Sequence, residues 1–135
     1  MVSTASDYAR FCQMLLNGGE LDGVRLLSRK TIELMTSQHL PPGVGYGSYT
    51  PSLGLAAPTP EMGYGFGLGF AVRMEPGRNP HPGSVGDFGW GGAYGTYFWV
   101  DTREKLIAIL MLQAPVERRH YRSLLRDLVY QAVVE

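Results

Sequence analysis

One segment of the chain alternates strictly between large and small residues, and this alternation constrains the fold more than any other feature. The large positions are Tyr64, Phe66, Leu68, Phe70, Val72 and Met74, and the positions between them are Gly63, Gly65, Gly67, Gly69, Ala71 and Arg73. A period of two predicts a β-strand over residues 63–75 with one nearly bare face. Because glycine in a strand packs nothing, we expect another backbone segment or a ligand close against that face.

Two helices are predicted before this strand, over about residues 4–36. Thr4 and Asp7 stand at the spacing of an N-terminal capping box. The apolar stripe that follows at helical spacing consists of Tyr8, Phe11, Cys12, Leu15 and Leu16. Two glycines after Asn17 end this helix. Asp22-Gly23 predicts a small hairpin, and Ser28 can cap a second helix that runs to about Thr36.

The rest of the chain is predicted to contain a loop, strands over residues 63–113 and a last helix. Residues 41–60 are rich in Pro, Gly, Ser and Thr and show no periodicity, which indicates a long loop. Residues 87–92 and 94–100 predict either a bent strand or a tight hairpin. The continuously apolar segment 105–113 predicts a strand covered on both faces. Helical spacing of apolar residues predicts a helix over about 117–134, and the order of elements predicts an α+β fold with this helix packed on the sheet.

Composition and charge exclude several classes of function. Twelve basic and twelve acidic residues cancel, which argues against binding to nucleic acid or to an anionic membrane. No window approaches the ~18 apolar residues of a membrane span. Cys12 is the only cysteine, so an internal disulfide is impossible. Cysteine usage therefore does not indicate a cellular compartment.

No cofactor or metal is expected from the motifs. The three histidines, His39, His81 and His120, show no ligand spacing, and the glycines match neither a dinucleotide fingerprint nor a P-loop. A basic cluster comprises Arg118, Arg119, His120, Arg122 and Arg126. We interpret it as the solvated face of the last helix rather than an anion-binding patch, because the overall charge is neutral.

The candidate for chemistry is the glycine-rich segment 89–96. Gly91 and Gly92 would let a substrate approach the strand backbone, and free main-chain N–H groups there could polarise a carbonyl. The alternative is a glycine-rich bulge or strand corner that only shapes the sheet. The sequence contains neither a G-x-S-x-G elbow nor a Ser-x-x-Lys motif.

Three segments resemble the β-lactamase-related serine hydrolases, the superfamily of class C β-lactamases, D-Ala-D-Ala peptidases and family VIII carboxylesterases. Residues 88–113 are similar to the strand that carries the third motif and to the two strands after it. Residues 2–11 resemble the helix entry after the second motif, and residues 63–69 resemble the strand before the third. The resemblance implies that residues 1–135 are a partial domain: the C-terminal portion of a serine β-lactamase-like fold.

The third motif of the family is K-T-G, H-x-G or, in many esterases, W-G-G, and here it is Trp90-Gly91-Gly92. The resemblance implies that the backbone N–H of Ala93 is one of two oxyanion-hole donors. It also implies that Trp90, Gly91, Gly92 and Tyr94 contact the substrate. A lysine in place of Trp90 would attract a carboxylate, whereas an indole offers a neutral wall. We therefore expect uncharged ester or amide substrates.

The family's Ser-x-x-Lys and Tyr-x-Asn motifs normally precede the matching segment. Tyr46-Gly47-Ser48 fits a Tyr-x-Ser pattern only by its letters, since it lies in the predicted loop. The expected function is therefore that of a C-terminal hydrolase segment, which needs a missing N-terminal half as its partner. The alternative is a non-catalytic binding or self-associating module, because the strand at 105–113 would be an open edge that favours a homo-oligomer.

Overall fold

The computed structural model describes residues 2–49 and 57–134. The helices are α1 (Ala5–Leu16), α2 (Arg29–Met35) and α3 (Arg118–Gln131). The strands are β1 (Glu20–Leu21), β2 (Val24–Arg25), β3 (Tyr64–Phe66), β4 (Ala71–Arg73), β5 (Phe88–Gly91), β6 (Tyr97–Asp101) and β7 (Leu106–Leu110). Short 3₁₀ turns lie at Gly47–Tyr49 and Pro60–Met62. This content confirms the predicted α+β fold class.

The predicted helix caps form at both early helices. The Thr4 hydroxyl oxygen accepts from the backbone N–H of Asp7 at 3.1 Å and donates to the Asp7 carboxylate at 2.8 Å. Ser28 caps α2 by accepting from the backbone N–H of Thr31 at 3.0 Å. The turn at Asp22-Gly23 joins β1 to β2 in the small predicted hairpin.

The prediction of one continuous strand over residues 63–75 is wrong. Strands β3 and β4 form an antiparallel hairpin in which Tyr64 pairs with Arg73 and Phe66 pairs with Ala71. Gly69 lies in the connecting turn with a φ of 96°, a left-handed conformation that favours glycine. The alternation of large and small residues continues through the turn, so the sequence pattern did not reveal the reversal of the chain.

The bare glycine face has two kinds of neighbour: the side chain of Gln38 lies against Gly65, and backbone, one of the two occupants expected from the sequence, lies against Gly67. A Cβ built on Gly67 would lie 2.0 Å from the carbonyl oxygen of Met35 at the end of α2. Two backbone hydrogen bonds fix this contact, from Leu68 N to Met35 O at 2.8 Å and from His39 N to Phe66 O at 2.9 Å. The segment that follows α2 therefore runs beside β3.

A five-stranded antiparallel sheet, in the order β3-β4-β5-β6-β7, is covered by a helix on each face. Residues of β6 alternate between the two faces. Phe98 and Val100 join the core under α1, while Trp99 and Asp101 contact Tyr130 of α3. Residues 87–101 thus contain a hairpin of β5 and β6 rather than one bent strand.

Strand β7 is the last strand of this sheet, so within residues 2–49 and 57–134 no strand pairs with its outer edge. The same residues contain no helix that is both long enough and apolar enough to cross a membrane.

Candidate active site

The site predicted from the sequence lies where β5 loses one of its two neighbours. Strand β4 pairs only with Phe88 and Gly89, at the beginning of β5. Strand β6 continues to pair with β5 as far as Gly91, which lies opposite Tyr97. From Trp90 onward, one edge of the β5 backbone is therefore not covered by β4.

A β-turn follows at the end of β5. Gly92 N donates to Thr96 O at 2.8 Å, and Gly95 N donates to Gly92 O at 3.2 Å, which closes the turn. Ala93 occupies the first central position of this turn, and the N–H at that position is not used by the turn hydrogen bond. Among the described residues, the N–H of Ala93 has no hydrogen-bond acceptor.

The direction of this N–H follows from peptide geometry. The N–H and the carbonyl of Gly92 both bond to residues of the β6 side, Thr96 and Gly95. The peptide bond between Gly92 and Ala93 is trans, so its N–H points opposite to its carbonyl. The N–H of Ala93 therefore points away from β6, toward the edge that β4 leaves uncovered.

A cleft of about 710 Å³ lies next to the end of β5 and the turn that follows it. It is lined by four of the five predicted site residues, Trp90, Gly91, Gly92 and Tyr94. Ala93, the fifth, lies between two of them in the chain. The rest of the wall comes from the start of α1, with Tyr8 and Phe11, from Phe70 just before β4, and from residues 96–98 and 109–113 on the side of β6 and β7.

Trp90 stands in an aromatic cluster that the sequence did not predict. Its ring meets Phe66 edge to face with centroids 5.0 Å apart, and Tyr46 in the same way at 6.4 Å. Burial, and secondarily the charge of Glu61, raises the pKa of Tyr46 to about 12. Its hydroxyl donates to Pro58 O at 2.9 Å. Tyr46 therefore forms part of the wall beside Trp90, and its hydroxyl proton is already used in the hydrogen bond to Pro58 O.

The interpretation of the basic cluster as a solvated face is wrong for Arg126. Its side chain is 5% exposed and forms an ion pair with Asp87, whose side chain is 1% exposed. Arg118, Arg122 and Arg126 recur every four residues and so share the helix face that meets the sheet. This spacing could have revealed the contact, but charge counting could not, because Asp87 lies 39 residues away.

Two of these arginines bind the turn that carries Ala93. Arg122 donates through Nη2 to Gly92 O and also to Thr96 O, the latter at 2.9 Å. Arg118 donates through Nη1 to Ala93 O at 3.2 Å and to Pro115 O at 2.8 Å. The terminal helix therefore contacts three carbonyl groups of the turn.

A second cavity of about 420 Å³ lies between β5 and α3. Trp90 and Gly91 line both cavities. Most of its other polar groups already have partners: Arg126 is paired with Asp87, and His81 bonds Asp127 through Nδ1 at 2.8 Å.

Neither a serine–histidine hydrogen bond nor a metal cluster occurs in the part of the chain that the structure describes. The ring nitrogens of His39 and His81 bond to Leu34 O and to Asp127, rather than to a serine hydroxyl. No three His, Cys, Asp or Glu side chains of residues 2–49 and 57–134 come together as a metal site.

Comparisons with known proteins identify the family and two relatives of the chain. Residues 1–131 match the model of the Beta-lactamase family. Protein Rv1367c of Mycobacterium tuberculosis (strain H37Rv) is 40% identical over 114 residues, which are 82% of this chain but 27% of that protein. The uncharacterized protein MT1414 of strain CDC 1551 matches to the same extent. The chain therefore spans about a quarter of the length of these relatives.

Solved structures show the same fold. EstCE1, described as a hydrolase with promiscuous acyltransferase activity, superimposes with a TM-score of 0.72 at 26% identity, over 95% of this chain and 30% of its own. Unliganded simvastatin synthase (LovD) of Aspergillus terreus superimposes with a TM-score of 0.69 at 22% identity, over 96% of this chain and 35% of its own.

Proposed function

We propose that this chain, which belongs to the Beta-lactamase family, supplies the oxyanion-hole strand and the substrate wall of a carboxylesterase-like serine hydrolase. The observation that carries the proposal is the unpaired N–H of Ala93, between Gly92 and Tyr94, which line a cleft together with Trp90 and Gly91. Because the chain covers about 27% of its curated relatives, the activity is proposed for the complete site.

The chemistry of acyl transfer explains why such an amide matters. Attack on an ester or amide carbonyl places negative charge on the carbonyl oxygen, and a fixed N–H donor stabilises that charge. Losing one such donor costs about 3–4 kcal/mol of barrier. The similarity to EstCE1, described as a hydrolase with acyltransferase activity, supports this reaction class.

The attacking group would come from outside this sequence. No Ser-x-x-Lys motif occurs in the 135 residues, so a covalent route needs a serine and its activating lysine from another segment or polypeptide. Without them, an oxyanion hole leaves only weak residual activity. We therefore expect the isolated chain to be inactive.

Trp90 supports a preference for neutral substrates. Its indole stands at the cleft edge, 36% exposed, and packs against Phe66 and Tyr46. This wall is flat, apolar and uncharged, and it attracts no carboxylate. Short, uncharged acyl esters are the substrates that fit it.

Complementation tests the function. The chain is co-expressed with an N-terminal segment of a family member that carries Ser-x-x-Lys and Tyr-x-Asn, and hydrolysis of short p-nitrophenyl esters is measured. We expect esterase activity that disappears when the serine of the supplied motif becomes alanine. A stable complex of the two parts without serine-dependent hydrolysis would reject the proposal.

A specific observation favours a second candidate, a non-catalytic, self-associating module. The outer edge of β7 has no partner strand among the described residues, and α3 exposes Leu124 and Leu128. An open edge beside apolar surface favours pairing with another chain. A stable oligomer that binds no N-terminal segment and gains no activity would support this function over the first.

A further inference from the structure

We propose that Arg122 is a positioning residue that sets the direction of the Ala93 N–H, and that Gly91 is a glycine because the guanidinium of Arg122 occupies the place of a side chain there. The inference deepens the proposed function and rests on it for its catalytic consequence. Its structural part concerns only the peptide between Gly92 and Ala93.

Arg122 controls this peptide through its oxygen. Its Nη2 donates to Gly92 O and to Thr96 O. Because Gly92 O and the Ala93 N–H belong to one rigid planar unit, fixing the oxygen fixes the N–H in the opposite direction. A flip of this peptide would break the Arg122 contact and the turn bond from Gly95 N.

The charge of Arg122 adds to this geometric effect. Hydrogen bonds from a cation are roughly twice as strong as neutral ones. A cation at the carbonyl oxygen also draws electron density from the amide nitrogen, so the same peptide becomes a better N–H donor. The guanidinium is itself held in place, because its Cζ lies 5.6 Å from the centre of the Tyr97 ring.

Gly91 leaves the space that this arrangement needs. A Cβ built on Gly91 would lie 2.6 Å from Arg122 Cζ and 2.7 Å from Nη1. The backbone of Gly91 does not have a left-handed φ, so an alanine would fit its conformation. The glycine is therefore explained by the guanidinium against it. An added methyl group would displace the flexible end of Arg122 and leave the strand in place.

Arg118 provides a matched control. It lies one helical turn before Arg122, carries the same charge and donates to the next carbonyl, Ala93 O, at 3.2 Å. That carbonyl shares its peptide with the N–H of Tyr94. Loss of Arg118 should therefore leave the Ala93 N–H unchanged.

The structural part is tested by NMR on the ¹⁵N-labelled chain. Residual dipolar coupling of the Ala93 N–H is measured in the wild type and in Arg122→Met, Gly91→Ala and Arg118→Met. We expect the coupling to change in the first two variants and to stay unchanged in the third, with β6 and α1 amides unaltered. If Arg122→Met does not fold, Gly91→Ala decides. An unchanged Ala93 coupling in the folded variant overturns the inference.

The catalytic part is tested in the complemented enzyme. We expect Arg122→Met and Gly91→Ala to lower kcat by about 10- to 100-fold with KM nearly unchanged, since a misdirected donor is lost mainly from the transition state. Arg122→Lys should restore part of kcat. The double variant Arg122→Met/Gly91→Ala should have a kcat no lower than that of Arg122→Met alone. A wild-type kcat in Arg122→Met overturns the inference.

If the dipolar coupling responds as expected but no complemented enzyme is active, the positioning role stands and the proposed function fails.

Discussion

Arg126 of α3 and Asp87, the residue before β5, form an ion pair whose side chains are 5% and 1% exposed. Arg73 of β4 approaches the same carboxylate oxygen, with its Nε 3.4 Å away. One carboxylate therefore connects the terminal helix to the two strands that frame the site. The strand that carries Trp90 begins at this anchor, so the geometry of the cleft depends on it.

Breaking this ion pair should destabilise the fold strongly. Arg126→Met leaves Asp87 with one cation instead of two in a buried environment, and removing a partner from a buried pair typically costs about 3–5 kcal/mol. Urea unfolding of the variant measures the loss of unfolding free energy. As control, Arg10→Met removes an exposed pair with Asp22 and should cost less than about 1 kcal/mol. Similar losses in both variants would contradict the expectation.

Ala93→Pro should remove the proposed oxyanion donor without breaking the turn. Proline is favoured at the first central position of a β-turn, which Ala93 occupies, and Ala93 does not have the left-handed φ that would exclude proline. In the complemented enzyme we expect kcat to fall by about 100- to 1000-fold. Ala93→Ser keeps the N–H and should keep most of the activity. Equal activity of the two variants would exclude a role for this amide.

Trp90→Lys should shift substrate preference toward anionic substrates. A lysine adds a cation where the indole offers a neutral wall, and it removes the ring contacts with Phe66 and Tyr46. The measurement is the ratio of kcat/KM for nitrocefin, which carries a carboxylate, to that for p-nitrophenyl butyrate. We expect the ratio to rise in Trp90→Lys and not in Trp90→Met, which loses the ring without gaining charge. Dominant nitrocefin turnover by the unaltered enzyme would contradict the neutral-wall interpretation.

Asp101 should contribute to acid unfolding. Burial acts to raise its pKa, but hydrogen bonds from Tyr130 Oη at 2.7 Å and from three backbone N–H groups outweigh burial and hold the pKa below its ordinary value. A lowered pKa means that the carboxylate stabilises the fold above its unfolded-state pKa of about 3.9. That stability is lost as the pH falls below about 4.

The measurement is the free energy of unfolding between about pH 7 and pH 2. Asp101→Asn should be less stable than the wild type at neutral pH, and the difference should narrow below about pH 4. Asp7→Asn, at an exposed helix start, is a comparison variant. A difference between Asp101→Asn and wild type that is constant with pH would contradict the expectation.

Self-association should occur through the open edge and the helix beside it. Leu128 on α3 is 53% exposed, and Met111 just after β7 is 43% exposed. A lysine at either position adds charge that opposes edge-to-edge pairing. We expect light scattering to show a smaller species for Leu128→Lys and Met111→Lys. Leu34→Lys on α2, at a position of similar exposure, should behave as the wild type, and a monomeric wild type would contradict the prediction.

Local patterns predicted the elements well where neighbouring residues decide the conformation. The caps at Thr4 and Ser28 and the turn at Asp22-Gly23 all depend on groups a few residues apart. The alternation of large and small residues at 63–75 gave the wrong prediction of one strand, because a period of two is the same before and after a tight reversal of the chain. Nothing within that segment specifies where the chain turns back.

By itself, the sequence determined the α+β class, the family motif Trp90-Gly91-Gly92 and the position of the candidate amide at Ala93. Only the tertiary structure decided that Arg122 holds the peptide of that amide, that Arg126 is buried on Asp87, and that Tyr46 and Phe66 form a wall beside Trp90. The physical reason is distance along the chain. These contacts join residues about 20 to 45 positions apart, and their energies depend on burial and direction, which exist only after the sheet and helices have packed.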